Sequence, residues 1–551
     1  MILRRLYLYL VSAAALALLA AGLTLLGGTI LLFVFNDPSA DASRSQLAIY
    51  TAMTVVALPV WGIHFWFARR FALRDPYERA SALRRLYLYF ASLASSTAAM
   101  FAIYIGIAQL FQPVLDGQTF NALNAAQIGW AAVVFVAIFA FHFRVAAADR
   151  AAVGEEGASA TLRRWYMYPA LLIGLLTMLS SAAALLNLGL TRIALGSTAQ
   201  YVYLAYPAGG AIAGAAMWGF HARTIATRHM TQDRNSTLRA LEGFLAVAIC
   251  IATALVGASQ LLYYVLARSL GVSNPGGTGS NVLAAAAGPL SLFLVYGVAW
   301  ILIQRRLARD AEAQEADRQA GVRRLYTNLT SLVSLAVWAV GAGGLLWTLA
   351  EQIEAPIIGV PARDWKDPLS LWITLLVVGA GTWLAHWRHS PWAVDRQSLS
   401  RKLYVWAALL GSILGLLAGG VGMINALLQQ VFSAHPTLQA ASNLDVGHYL
   451  AVIVVAAGVG IYHWRVLRAD AAARPHKAAA APAAMVPTRP VAVASNAVEA
   501  APAGEAVSPH SRHYTLVVTD ATDDDVHQAL AALPPQASYK LTPTEQTVDG
   551  R

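Results

Sequence analysis

The sequence predicts an all-α polytopic membrane protein of about twelve transmembrane helices, made of six parallel two-helix repeats and followed by a small cytoplasmic α/β-like tail. Three observations predict it. The 551 residues are 58% hydrophobic and 12% charged, with a mean hydropathy of +0.54; soluble domains carry about 25% charged residues, so lipid is the expected solvent. Apolar runs of about 20 residues or more recur along the chain, long enough to cross a ~30 Å hydrocarbon core as helix. Two short signatures return six times in a fixed register.

The first signature is Arg4-Arg5-Leu6-Tyr7, which recurs as Arg84-Arg85-Leu86-Tyr87, Arg163-Arg164-Trp165-Tyr166, Arg323-Arg324-Leu325-Tyr326 and Arg401-Lys402-Leu403-Tyr404. A degenerate copy, Arg239-Ala240-Leu241-Glu242, fills the gap. The second signature is an aromatic stretch ending in histidine, usually His-x-Arg: His142, His221, His386 and His463, with His64 followed by Arg69 and Arg70 and with Trp300 in the fourth place. The two signatures stay 55 to 60 residues apart in all six copies, a register that chance does not keep.

The repeats set the organisation. Unit 1 is 1–80, unit 2 is 81–158, unit 3 is 159–235, the degenerate unit 4 is 236–319, unit 5 is 320–397 and unit 6 is 398–468. In the first unit the spans are roughly Leu6–Phe35 and Leu47–Phe67. Arginines before an apolar run outline a signal peptide, but this run outlasts the ~7–15 residue core of one and recurs downstream, so it reads as the first span. Runs this continuous satisfy their backbone as helices, not barrel strands. Connectors between units carry 24 Lys and Arg, those inside units only 5. By the positive-inside rule the chain is expected in the cell membrane with both termini cytoplasmic. The formal charge of +10 is then topological, and no nucleic-acid partner is expected. Residues 471–510, rich in Ala and Pro, read as a disordered linker. Residues 511–551 form a small module in which His513–Thr519 alternates like a strand, Asp523–Leu533 is helical and Ser538–Thr542 is a second strand.

These patterns resemble a bacterial polytopic family classed as domain of unknown function 5671, in tandem copies. The resemblance covers roughly residues 1–468 and implies one copy for each pair of units. The family implies no activity, and no functional residue is carried over from it.

Candidate chemistry is sparse. With Cys250 the single cysteine, a disulfide within the chain and a cysteine-ligated cluster are both excluded. Walker, dinucleotide, zinc-protease and nucleophile-elbow motifs are missing, so no catalytic residue, metal or cofactor is assigned and the chain is read as no enzyme. His64, His142, His221, His386 and His463 are candidates for haem or metal if they face one another in pairs; as anchors or caps at helix ends they need no ligand. Arg5, Tyr7, Arg85, Tyr87, Arg164, Tyr166, Arg324, Tyr326, Arg401 and Tyr404 are expected at contacts between units or with lipid head groups. Acids before each signature, Asp75, Asp149, Asp233, Asp317 and Asp395, are expected to fold onto the arginines of the next unit. Asn187 and Asn425 occupy equivalent intramembrane places, 21 residues after Tyr166 and Tyr404. Gly411, Gly415 and Gly419, and Gly210 with Gly214, have helix-packing spacing.

The leading functional expectation is a non-enzymatic membrane scaffold or sensor. Its partners are membrane lipids and, through the tail, a cytoplasmic protein. The alternatives are a transporter or channel for an uncharged or lipid-like substrate, and a haem-binding electron-transfer protein.

Overall fold

A computed structural model describes residues 2–472 apart from 197–202, 235, 276–280, 313–316, 358, 360, 388–397 and 433–445. The expected linker and α/β-like tail lie outside the described residues. Twelve helices of more than twenty residues follow one another there: α1 Ile2–Val34, α2 Arg44–Arg74, α3 Ala82–Leu115, α4 Ala122–Val153, α5 Gly157–Leu195, α6 Ala205–Arg228, α7 Thr237–Ser269, α8 Val282–Glu312, α9 Asp317–Ile357, α10 Lys366–Trp387, α11 Leu399–Phe432 and α12 Val446–Ala472. Single helical turns at Pro76–Arg79 and Met230–Asp233 join α2 to α3 and α6 to α7. The regular elements among the described residues are all helical.

Helix starts are set by local side chains. Ser81 accepts from the Arg84 amide at the start of α3, Asn121 from the Asn124 amide at 2.9 Å before α4, and Asp75 from the Tyr77 amide at 2.9 Å before the Pro76 turn. The end of α4 is closed by Gly154 at φ +70°, a conformation that a Cβ disfavours. Five of the helices continue through an internal proline, among them Pro59 in α2 and Pro169 in α5.

Eleven of the twelve helices are long and apolar enough to cross a membrane; α6 is not among them. The reason lies in its packing. Its 24 residues are wedged between α3 and α5, and half of them are Ala or Gly. A Cβ on Gly214 would come within 2.5 Å of the Met178 amide, and one on Gly209 within 2.5 Å of the Tyr104 carbonyl. A helix gripped this closely needs small side chains and has little lipid-facing area to make apolar. The expected contact role of Gly210, Gly214, Gly415 and Gly419 is met, because each faces a neighbouring helix; Gly411 faces open space.

Each odd helix packs against the even helix that follows it, so every sequence unit is a hairpin. Odd helices also contact the next odd helix, and each touches the even helix of the following unit, from α1 with α4 to α9 with α12. The outer surface carries Val55, Leu58, Ile63, Leu414, Leu417 and Val421, all more than half exposed, whereas the largest fully buried side chains include Arg84, Arg85, Arg163, His142, His221 and His463. Apolar outside and charged inside is the arrangement of a protein whose solvent is hydrocarbon. This is a multi-pass membrane protein.

Candidate functional site

The signatures meet in space. Within each hairpin the start of the odd helix lies beside the end of the even one, and in five of the six the signature tyrosine reaches the signature histidine. The Tyr Oη to His Nε2 distances are 3.2 Å for Tyr7–His64, 3.0 Å for Tyr87–His142, 2.9 Å for Tyr166–His221, 3.3 Å for Tyr326–His386 and 2.9 Å for Tyr404–His463. The other ring nitrogen is also committed. Nδ1 lies 2.7–2.9 Å from the carbonyl oxygen four residues back, at Val60, Ile138, Met217, Thr382 and Val459. A carbonyl oxygen only accepts, so Nδ1 carries a proton and a neutral ring leaves Nε2 to accept from the tyrosine hydroxyl. All five histidines are thus satisfied by their own helix and their own unit. The pairing of histidine with histidine that haem ligation required is replaced by pairing with tyrosine. Among the described residues no group of three or more His, Cys, Asp or Glu is placed to hold a metal ion.

A further residue ties units together, and the sequence reading missed it. Trp61 Nε1 donates to Tyr87 Oη at 2.9 Å, and Trp383 Nε1 to Tyr404 Oη at 2.8 Å. Each tryptophan stands three residues before its own unit's histidine. One hydroxyl therefore accepts from the preceding unit and donates within its own. The Trp-x-x-His spacing at 61–64, 218–221 and 383–386 was the available signal.

The arginines are neutralised by acids, with a correction to the expected direction. Asp149 and Asp233 fold back on the arginines that open their own units. Asp149 takes Arg84 at 2.6 Å, and Asp233 takes Arg163 and Arg164 at 2.8 Å each. The physical reason is the hairpin itself, which returns the end of the even helix to the start of the odd one. In unit 1 the acid is Glu78, not Asp75; it binds Arg4 and, at 2.8 Å, Arg5, while Asp75 is spent as a cap. Asp470 holds Arg401 at 2.7 Å, and Arg401 also lies over the Trp387 ring. Links between units do exist, through different residues. Arg79 reaches Asp149 at 2.9 Å, and Glu155 bridges Arg163 at 2.7 Å and Arg85 at 3.9 Å while accepting from Tyr89. Arg85 is fully buried and donates to the Ala146 and Gly154 carbonyls, both at 3.3 Å. Arg324 is half-buried in α9. The side chain of Asp317 and all of Asp395 lie outside the described residues.

Unit 4 breaks the pattern at both signatures. Glu242 binds Arg306 at 2.6 Å, and its second oxygen and the Trp300 indole nitrogen are buried without a hydrogen-bond partner. The two asparagines do not share an environment. Asn187 accepts from Thr191 at 3.3 Å and sits beside Gly288 of α8, whereas Asn425 is exposed on α11.

At the α6–α7 connector two titrating groups outside the spans are shifted. Burial opposes the charge of Asp233, but the hydrogen bonds and charges of Arg163 and Arg164 prevail and hold its carboxyl below the usual range. Burial, helped by Arg163 and Arg150, pushes His229 down to about 4. A depressed folded pKa contributes stability above the unfolded value and loses it as pH falls. The His229 contribution is therefore present above about pH 6.5 and fades toward pH 4, and that of Asp233 fades below the ordinary carboxylate range. Thermal unfolding in detergent is expected to shift downward between pH 7 and pH 5, and His229→Gln to flatten that slope. Equal slopes for the two proteins would dismiss His229 as a contributor.

The fold and these clasps define a class, the multi-pass α-helical membrane proteins. The chain belongs to the family described as domain of unknown function (DUF5671), whose sequence model matches residues 5–132, 122–212 and 324–458. The matches step over residues 213–323, which hold the degenerate unit 4, so the coverage is narrower than the expected 1–468. No curated protein and no solved structure matches the chain.

Proposed function

We propose that this protein is a non-enzymatic membrane scaffold, an array of six parallel two-helix units with twelve spans and both termini cytoplasmic. The observation that carries the reading is the use to which the repeated polar groups are put. Tyrosine, histidine, arginine and acid are spent on one another at a single end of the hairpins, as a structural fastening would spend them. The links from Trp61 to Tyr87 and from Arg79 to Asp149 favour neighbouring units standing the same way round. At 24 residues α6 is about 36 Å long, enough for a twelfth crossing. The excess of arginine and lysine in connectors between units supports the cytoplasmic assignment of that end.

A second reading, passage of an uncharged or lipid-like molecule, is favoured by three apolar crevices. One of about 490 Å³ lies among α5, α6 and α8 beside Leu175, Trp218 and Leu302. One of about 550 Å³ lies among α7, α9 and α10, and one of about 480 Å³ among α9 to α12, lined by Gly343 and Gly411. Dithionite quenching of a fluorescent phosphatidylcholine in proteoliposomes separates the two. The scaffold reading expects lipid flip-flop at the protein-free rate. Faster flip-flop that Gly343→Leu abolishes would replace it with the transport reading.

A further inference from the structure

The arginines at the clasped end fall into two rows with opposite fates. The inner row opens the odd helices; Arg4, Arg5, Arg84, Arg163, Arg164 and Arg401 are paired there with acids. The outer row closes the even helices. Arg144, Arg223 and Arg465 stand two residues after their clasp histidines, and Arg69 and Arg305 stand five residues after His64 and Trp300. All five are exposed, and their guanidinium groups have no hydrogen-bond or ion-pair partner among the described residues. The acids that could have neutralised them, Glu78, Asp149, Asp233 and Asp470, are turned onto the inner row.

The outer row is flanked by exposed aromatic rings. Trp66 lies before Arg69, Phe220 before Arg223 and Trp464 before Arg465. Two neighbouring arginines lean on these rings, Arg70 over Trp66 at 5.1 Å and Arg468 over Trp464 at 5.4 Å. Indole and phenyl rings settle at the junction of hydrocarbon and head groups, so an unpaired guanidinium beside them stands at the level of lipid phosphate. Guanidinium offers phosphate a forked pair of charge-assisted hydrogen bonds.

We propose that the outer arginine row is a head-group belt that selects anionic phospholipid over zwitterionic lipid around the even helices. The proposal rests on the membrane-spanning reading and adds a lipid preference to it. One arginine near a charged surface is worth up to about fivefold in lipid association.

The test uses the full chain reconstituted in phosphatidylcholine bilayers, with spin-labelled phosphatidylglycerol and phosphatidylcholine compared for the motionally restricted fraction. The expected result is a several-fold preference for phosphatidylglycerol that high salt weakens. Combining Arg144→Gln, Arg223→Gln and Arg465→Gln is expected to lower it threefold or more, with unfolding in pure phosphatidylcholine unchanged. Lysine at the same three positions is expected to restore most of it. Inorganic phosphate added to the neutral bilayers is expected to leave thermal stability unchanged. Equal association of the two lipids, a glutamine variant that keeps the preference, lysine variants no better than glutamine, or stabilisation by inorganic phosphate to the same extent as by the anionic lipid would each overturn the proposal. A chain that does not enter bilayers would overturn the membrane-spanning reading together with it, whereas insertion without preference defeats only the belt.

Discussion

Replacing Arg163 with methionine is expected to cost about 3–5 kcal/mol, because a broken buried ion pair leaves uncompensated charge behind. The guanidinium is fully engaged. Its Nε donates to Glu155 at 2.7 Å, and its two terminal nitrogens donate to the two oxygens of Asp233 at 2.8 Å each. The Arg163, Glu155 and Asp233 side chains are 1%, 2% and 0% exposed, so neither water nor head groups can take the place of the lost donor. Arg163→Lys is expected to recover only part of the loss, since a point charge cannot serve a bidentate partner and a second carboxylate at once. Arg164 meets the same Asp233 from a more accessible position, 19% exposed, and leaves Arg163 in place when removed. Arg164 also donates to the exposed Gln232 carbonyl at 2.9 Å, which water can serve in its absence, so Arg164→Met is expected to cost about 1.5–3 kcal/mol, the range of the one charge-assisted hydrogen bond to Asp233. Reversible unfolding in mixed micelles gives both numbers. Asp233→Asn added to Arg163→Met should cost less than the sum of the two single changes, because the orphaned charge is removed with its partner. An Arg163→Met protein within about 1 kcal/mol of the parent would mean that the network is incidental to stability.

Much of this architecture was legible in the sequence, for identifiable physical reasons. A span must satisfy its backbone internally, so its length and apolarity are written locally, and eleven helices are visible on that ground alone. The exception is α6, whose glycines and alanines record a neighbour's proximity instead of contact with lipid. Knowing that α3 and α5 grip it requires the tertiary structure. The signature register was equally plain, and it marked the residues that clasp. What the sequence withheld was direction. Asp149 precedes Arg163 by 14 residues and follows Arg84 by 65, so linear proximity pointed to the wrong arginine. The hairpin closes the longer interval. The same blindness hid the Trp61–Tyr87 link, in which the donor and acceptor signatures belong to different units. Histidine at a helix end carries no mark of whether it faces another histidine or a tyrosine. Only the meeting of α3 with α4, or α5 with α6, decides that.

A graded response is expected when the signature tyrosines are changed to phenylalanine one at a time. Removing a buried hydroxyl costs little for the bond itself and about 1–3 kcal/mol for each polar group left unsatisfied. Tyr87 and Tyr404 each serve two partners, an indole donor from the preceding unit and a histidine acceptor in their own. Phenylalanine at either position orphans both, so losses of about 2–4 kcal/mol are expected there. Tyr166 is as deeply buried but serves His221 alone, and its loss should fall nearer 1–3 kcal/mol. Tyr326 reaches a half-buried histidine over 3.3 Å and should matter less. Tyr7 is 58% exposed, where water or a head group replaces the lost contact, so Tyr7→Phe should stay within about 0.5 kcal/mol. The ranking is more informative than any single value, because it follows the number of stranded partners and not aromatic packing, which phenylalanine preserves at all five sites. Trp61→Phe offers an independent check on the cross-unit half of the argument. It strands no buried group, since the Tyr87 hydroxyl still donates to His142, so its hydrogen-bond cost should fall short of that of Tyr87→Phe by about the penalty of two orphans. Five tyrosine variants with equal losses, or a Tyr7→Phe loss as large as that of Tyr87→Phe, would mean that the hydroxyl–imidazole clasp is not what fastens the helix ends.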